Sequence, residues 1–186
     1  MESFLRHFIV ICLMISTLSA EYVIGAPIKS VGIDVYFSPR GGATEAVVKE
    51  IDGARKEILV LAYSFTSVPI AKALLNAHKR GVRVEAVLDT TNRKKTAGSK
   101  SKNYSAATFL VNAGIPTFID DRHAIMHNKV MVIDGEVLIT GSFNFTKAAE
   151  EKNAENLLVI KGNKVLVERY LENYREHKGH SEPYPR

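Results

Sequence analysis

Cysteine is all but absent. Of 186 residues only Cys12 carries a thiol, and it lies in an apolar N-terminal segment. With that segment removed, the chain can form no disulfide, no thiolate metal site and no cysteine nucleophile. Ile11 precedes the cysteine, so a lipoprotein-type processing site does not fit either. A long apolar run is also missing. The stretch from Phe8 to Leu18 would span about 16 Å as a helix, well short of the roughly 30 Å hydrocarbon core. Arg6 and His7 stand before it and Ser19 and Ala20 after it. Residues 1–20 therefore read as a secretory leader cut near residues 20–26, although Leu18 sits where a small residue is preferred. A retained anchor is the alternative. Secretion or a periplasmic location is the expectation, with no stable membrane association after cleavage.

Several chemical signatures are lacking as well. No G-x-S-x-G elbow occurs, which leaves Ser142 in Gly-Ser-Phe-Asn without support as a nucleophile. His123 and His127 are four apart, but no neighbouring glutamate completes a metalloprotease pattern. His177 and His180 fall near the C-terminus, where a solvated, flexible tail is expected over residues 179–186. With no converging carboxylates in view, no catalytic metal and no cofactor is expected. There is no internal repeat.

What remains is ordinary globular composition, 46% hydrophobic and 24% charged, enough for one domain over residues 27–178. The charge is uneven. Between Lys72 and Lys102 nine basic residues face only Glu85 and Asp89, an excess of seven against a whole-chain net charge of +5. Such a patch suits a polyanion, either nucleic acid or an anionic membrane; a merely solubilising surface is the plainer reading.

The order of elements points to an α/β fold. Ile33–Phe37 reads as a strand, and Thr44 as the N-cap of a helix through Ala54. Glu57–Phe65 is an apolar strand, and Ser67 with Pro69 opens a helix to about Arg80 that Gly81 ends. Val82–Leu88 is the next strand. The segment from Thr90 to Asn103 is basic, contains Gly and Ser, and lacks apolar periodicity. It leaves the carboxyl end of a strand, where ligands of such folds bind, so Arg93, Lys94, Lys95, Lys100 and Lys102 are candidate phosphate contacts. A short helix (Tyr104–Ala113), a short strand (Pro116–Ile119), a hairpin, a helical turn (Thr146–Lys152), a strand (Asn156–Ile160) and a helix (Val165–His177) complete the chain.

The hairpin gathers the chemistry. Val130–Ile133 and Val137–Ile139 flank Asp134-Gly135, a strong two-residue turn signal. That turn sets Ile133 opposite Glu136, Lys129 opposite Thr140 and His127 opposite Ser142. His127 and Lys129 then share a face about 7 Å apart, with Ser142 and Asn144 beside them. An imidazole can act as a nucleophile near neutral pH. An adjacent ammonium and amide or hydroxyl donors would stabilise charge gathering on a phosphoryl group under attack. Glu155, entering the apolar strand after Ala154, is a candidate acceptor to orient the imidazole.

The pattern His127-x-Lys129-x4-Asp134-x6-Gly141-Ser142-x-Asn144 resembles the HKD motif of the phospholipase D superfamily without a departure. Over residues 33–167 the chain resembles the small single-motif bacterial endonucleases of the Nuc type. The resemblance implies a mixed, largely buried β-sheet flanked by helices on both faces. It implies a catalytic set of His127, Lys129, Asp134, Ser142, Asn144 and Glu155. In that family one histidine forms a phosphohistidine and a second protonates the leaving oxygen, without metal. With one motif per chain, it implies a homodimer with both copies of His127 in one site, Glu155 acting within its own subunit or across the interface. The expected function is a non-specific endonuclease, on DNA first and RNA after it. A phospholipid hydrolase and a non-catalytic nucleic-acid-binding protein are the other readings.

Overall fold

The computed structural model describes residues 30–93 and 106–184. The leader and Lys94, Lys95, Lys100 and Lys102 lie outside the described residues. Eight strands form one sheet: β1 (Gly32–Ser38), β2 (Glu57–Ala62), β3 (Arg83–Asp89), β4 (Thr117–Asp120), β5 (Lys129–Ile133), β6 (Val137–Gly141), β7 (Glu155–Lys161) and β8 (Glu182–Pro183). Their spatial order is β1-β7-β6-β5-β2-β3-β4-β8. β2, β3 and β4 run parallel; every other neighbouring pair is antiparallel.

The central strands are buried on both faces, which is why β2 and β5 read as unbroken apolar runs rather than as alternating ones. Ile58, Val60, Met131 and Ile133 face one core, and Leu59, Leu61, Val130 and Val132 the other. Helices cover both. On the first side lie α1 (Ala43–Gly53), α2 (Val68–Lys79), α3 (Ala106–Asn112) and α4 (Lys147–Glu151); on the second lies α5 (Lys164–Gly179). α5 packs through Val167, Leu171 and Tyr174, the stripe its sequence spacing predicts. The fold is thus the mixed, doubly covered sheet expected. No described helix is long and apolar enough to cross a membrane.

Four local expectations are corrected. The hairpin pairs Ile133 with Val137, not with Glu136. Asp134 (φ 56°) and Gly135 (φ 66°) do take the left-handed conformations, and Glu136 N donates to Ile133 O at 3.0 Å. Glu136 is then an extra residue before pairing resumes, so the register beyond the turn shifts by one. Second, α1 is preceded by Gly42 in a left-handed conformation, not capped by Thr44; the Thr44 N–H instead donates to Glu150 Oε2 at 2.8 Å. Third, β2 stops at Ala62, leaving Tyr63–Phe65 as irregular chain at the sheet edge. Fourth, residues 179–184 are not a frayed tail. β8 pairs with β4, Tyr184 is buried, and His177 and His180 pack around Asp120 instead of facing solvent.

Candidate active site

β5 and β7 begin, and β2, β3 and β6 end, at one edge of the sheet, because β5 is antiparallel to β2 and β6, and β7 to β6. His127, Lys129, Ser142, Asn144 and Glu155 all belong to this edge, the carboxyl edge of the parallel strands. Ala62 pairs with Lys129, which sets Tyr63 beside the segment carrying His127.

The His127 ring is exposed and meets Tyr63 edge-on, centroids 4.5 Å apart. The Tyr63 N–H donates to Asn128 O at 2.8 Å, and Tyr63 O accepts from Asn92 Nδ2 at 2.6 Å. These bonds fix the backbone on either side of the ring contact. Lys129 is only 7% exposed. Its Nζ donates to His127 O at 2.7 Å and stands 5.0 Å from the Tyr63 ring centre, within cation–π range. Burial lowers the Lys129 pKa below the ordinary lysine value; the Glu155 and Asp89 carboxylates oppose that fall. The result is a weakly hydrated ammonium, whose field acts on a neighbouring anion with little screening.

Asp89 closes β3 and ties the edge together. Its Oδ1 accepts from Thr91 N and its Oδ2 from Met126 N, each at 2.8 Å. The second bond holds the chain one residue before His127. Glu155 opens β7 opposite Ser38 and accepts from Asn153 Nδ2 at 3.0 Å. Among the described residues it makes no hydrogen bond to the His127 imidazole; its field falls on Lys129.

Gly141 is required by the next turn of chain. Its φ is 151°, and a Cβ there would stand 2.3 Å from Asn156 O. That carbonyl accepts from both Ser142 N and Phe143 N at 3.1 Å. Ser142 Oγ in turn accepts from Asn156 N at 3.0 Å, leaving its proton to donate outward. Phe143 and Phe145 are buried, which turns Ser142 and Asn144 the other way. Asn144 Oδ1 is buried with no partner among the described residues, an acceptor ready for a donor from outside the chain.

Asp134 is the motif residue that the structure does not bring to this edge. It stands at the opposite end of β5, where its carboxylate accepts from Arg55 N at 2.9 Å, Lys56 N at 2.7 Å and Glu57 N at 3.0 Å. Burial alone would raise its pKa, but these three backbone N–H groups outweigh it and hold the carboxyl below its ordinary value. Asp134 thus locks the hairpin turn to the start of β2. Arg93 follows the 3-10 turn Thr90–Asn92 at the catalytic edge and pairs with Asp121.

Tyr63 and Asp89 were not picked out as site residues from sequence. Their one signal is position, each at the carboxyl end of a parallel strand. The residues able to hold a metal ion, among those described, form a separate group: Asp120, His123, His177 and His180. The reading of the last two as solvated missed it. Around His127 the arrangement is an exposed imidazole beside a buried ammonium, with the Ser142 hydroxyl free to donate outward and the half-buried Asn144 amide at the same edge. That set can attack phosphorus and stabilise the charge that builds on its oxygens.

The profile of the family described as "Cardiolipin synthase, PLD-like domain" matches residues 47–177. Phospholipase D of Rickettsia felis is 39% identical over 146 residues, 78% of this chain and 69% of that protein. The mitochondrial cardiolipin hydrolase of Homo sapiens is 31% identical over 137 residues, 73% of this chain and 51% of that protein. Among solved structures, the phospholipase D family member Nuc from Salmonella typhimurium superposes with a TM-score of 0.75 at 39% identity, covering 84% of this chain and 100% of that one. NucT from Helicobacter pylori superposes with a TM-score of 0.72 at 22% identity, over 83% of this chain and 100% of that one, a likeness of fold.

Proposed function

The chain belongs to the phospholipase D superfamily, and from that premise we propose that this phosphodiesterase is a metal-independent, non-specific endonuclease acting on DNA, and on RNA after it. A lone pair of the His127 ring forms a nitrogen–phosphorus bond while one ester oxygen leaves. A second imidazolium gives that oxygen its proton. The same imidazole then takes a proton from water, which attacks phosphorus, breaks the nitrogen–phosphorus bond and frees His127. The second imidazole is His127 of another copy, since each chain carries one motif. Glu155 of either copy orients a ring, and Asn144 Oδ1 accepts from a group delivered at that interface.

The observation that carries the nucleic-acid reading is the basic segment. It leaves the sheet at Arg93, at the same edge as His127, and between Thr90 and Asn103 it carries five basic residues and no acidic one. Sequence-independent phosphate contacts of that kind supply affinity without base readout. The other reading, a phospholipid hydrolase, draws support from the names of the Rickettsia and human relatives.

Plasmid nicking by wild type and His127→Ala, run beside cardiolipin and phosphatidylcholine vesicles, separates the two. The expected result is nicking that persists in EDTA, vanishes in the variant, and has no comparable lipid counterpart. Turnover of vesicles with intact plasmid overturns the endonuclease. Loss of nicking in EDTA that added magnesium restores, while circular dichroism reports a folded chain throughout, overturns the metal-independent step. Sedimentation tests the dimer, and a mature N-terminus near residues 20–26 in exported protein tests the leader.

A further inference from the structure

Farther along the same sheet edge, where Asp120 stands in register with Asp89, three imidazoles crowd onto one carboxylate oxygen. Asp120 closes β4 with its side chain fully buried. Its Oδ2 lies 2.6 Å from His177 Nδ1, 3.0 Å from His123 Nδ1 and 3.1 Å from His180 Nε2. The three rings form a near-regular triangle, with centroid separations of 4.9, 5.2 and 5.6 Å. Asp120 Oδ1 is occupied separately, accepting from Arg122 N at 3.1 Å and His123 N at 3.4 Å. No lysine or arginine reaches this buried carboxylate among the described residues.

An oxygen offers two lone-pair directions, so three ring nitrogens at 2.6–3.1 Å exceed what one carboxylate oxygen can accept well. A cation at the centre resolves the crowding. We propose that Asp120, His123, His177 and His180 form a structural site for a divalent transition-metal ion of the zinc class, one per chain, at the same sheet edge as His127 but sharing none of the catalytic side chains.

The donor chemistry fits. Three neutral imidazoles and one carboxylate make a four-coordinate set suited to zinc, whereas magnesium and calcium take all-oxygen sets. The donor atoms already lie within 4.8 Å of one another. A tetrahedral ion with bonds of about 2.0–2.2 Å sets its donors roughly 3.4 Å apart, so side-chain shifts of about 1 Å suffice. The Asp120–histidine contacts, now 2.6, 3.0 and 3.1 Å, need to open by roughly 0.3–0.8 Å, and the histidines to close on one another. His177 lies in the last turn of α5 and His180 just after it, where the helix dipole favours a cation. His123, 45% exposed at its side chain, leaves an entry path, while His177 and His180 are 11% and 14% exposed.

The geometry also says what the ion would do. The four ligands come from the end of β4, the irregular segment after it and the end of α5. That irregular segment continues to His127. His177 touches both regions: Nδ1 faces Asp120, and Nε2 is 3.5 Å from Asn128 Nδ2, next to the candidate nucleophile. The ion would clamp the C-terminal helix to the segment that delivers His127.

The test uses the untagged full chain, stripped with chelator and dialysed. Zinc is titrated by calorimetry, bound metal counted by mass spectrometry, and Tm followed with and without zinc. The expected result is one equivalent bound per chain, a raised Tm, no effect of magnesium, and a visible spectrum of tetrahedral character when cobalt replaces zinc. His123→Ala and His180→Ala should each weaken zinc binding by at least about 10–100-fold, the loss that even an outer-shell partner commands. His78→Ala, which removes a histidine from α2, should leave binding unchanged. His123 is half-exposed, so its variant is a test that does not hinge on refolding a buried cluster. Failure of the wild type to bind zinc at one equivalent, or binding unmoved by both ligand variants, overturns the proposal. These readouts are independent of plasmid or lipid turnover, so the metal site and the endonuclease reading stand or fall separately.

Discussion

Lys129 Nζ donates to the main-chain carbonyl oxygen of His127, two residues before it, at 2.7 Å. One ammonium proton is thus spent on holding the candidate nucleophile's backbone, and among the described residues the others have no hydrogen-bond acceptor, which leaves them to a phosphate. Lys129→Met removes both the tether and the charge. It should lower kcat on a chromogenic phosphodiester by about 10²–10³-fold, the cost of one preorganised donor to a developing anion. A fall in kcat/KM carried by KM alone would show that Lys129 binds substrate without stabilising the transition state.

The same burial gives a pH prediction. The charged form of Lys129 is the one disfavoured by desolvation, so its pKa lies below the ordinary 10.5. Activity that needs the ammonium is present below the lowered value and is lost as pH rises through it. The alkaline limb of log kcat against pH should therefore begin below pH 10.5 in the wild type. Lys129→Arg, wherever it retains measurable turnover, should lack that limb because a guanidinium keeps its proton.

Asp134 reads out in stability. Its folded pKa is depressed, so its contribution is present above the unfolded value of about 3.9 and is lost as pH falls through the folded one. Asp134→Asn gives up the charge and one of the accepting oxygens that hold Arg55, Lys56 and Glu57 N–H groups. Urea unfolding at pH 7 should show a loss of about 1–2 kcal/mol, at the lower end for charged hydrogen bonds because the turn is half-exposed. The gap between variant and wild type should narrow as pH falls below about 4. An equal gap at pH 7 and pH 2.5 would remove the carboxylate from the argument.

The motif's reach in sequence and in space differ for physical reasons. That His127, Lys129, Ser142, Asn144 and Glu155 stand at one sheet edge was legible from the strand boundaries and the family pattern, whereas the register expected to set His127 opposite Ser142 is shifted by one. The sheet with its two covered faces was legible from the apolar runs of β2 and β5 and the stripe of α5. The hairpin register was not, because one extra residue, Glu136, follows a turn whose Asp-Gly pair looks like a two-residue loop. The Asp120 cluster was not, because its contacts span 57 and 60 residues and exist only once α5 packs and β8 pairs with β4. Tyr63 shows no chemistry of its own until Ala62 is set opposite Lys129.

Gly141→Ala tests how tightly the second half of the motif is placed. Any Cβ at this residue would press on the Asn156 carbonyl, the group that accepts from Ser142 N and Phe143 N. Relief requires β6 and β7 to part at the point from which Ser142 and Asn144 project. A loss of about 1–3 kcal/mol is expected from overpacking, along with a fall in kcat that persists at temperatures where the variant is fully folded. A variant as stable and as active as the wild type would show that this close approach is not maintained in solution.

The basic segment decides the substrate by its salt dependence. If Lys94 and Lys95 each neutralise a phosphate, binding of duplex DNA to the non-cleaving His127→Ala protein should weaken steeply with salt. Each contact contributes about 0.9 to the slope of log affinity against log salt. Adding Lys94→Ala and Lys95→Ala should flatten that slope by about 2 and weaken binding evenly across unrelated sequences, since these are backbone contacts. Fluorescence anisotropy between 50 and 200 mM salt (about the range over which such slopes are read) measures both quantities at once. An unchanged slope would take Lys94 and Lys95 out of the DNA surface. A flattened slope on one sequence only would instead mean base readout, which a non-specific nuclease does not use.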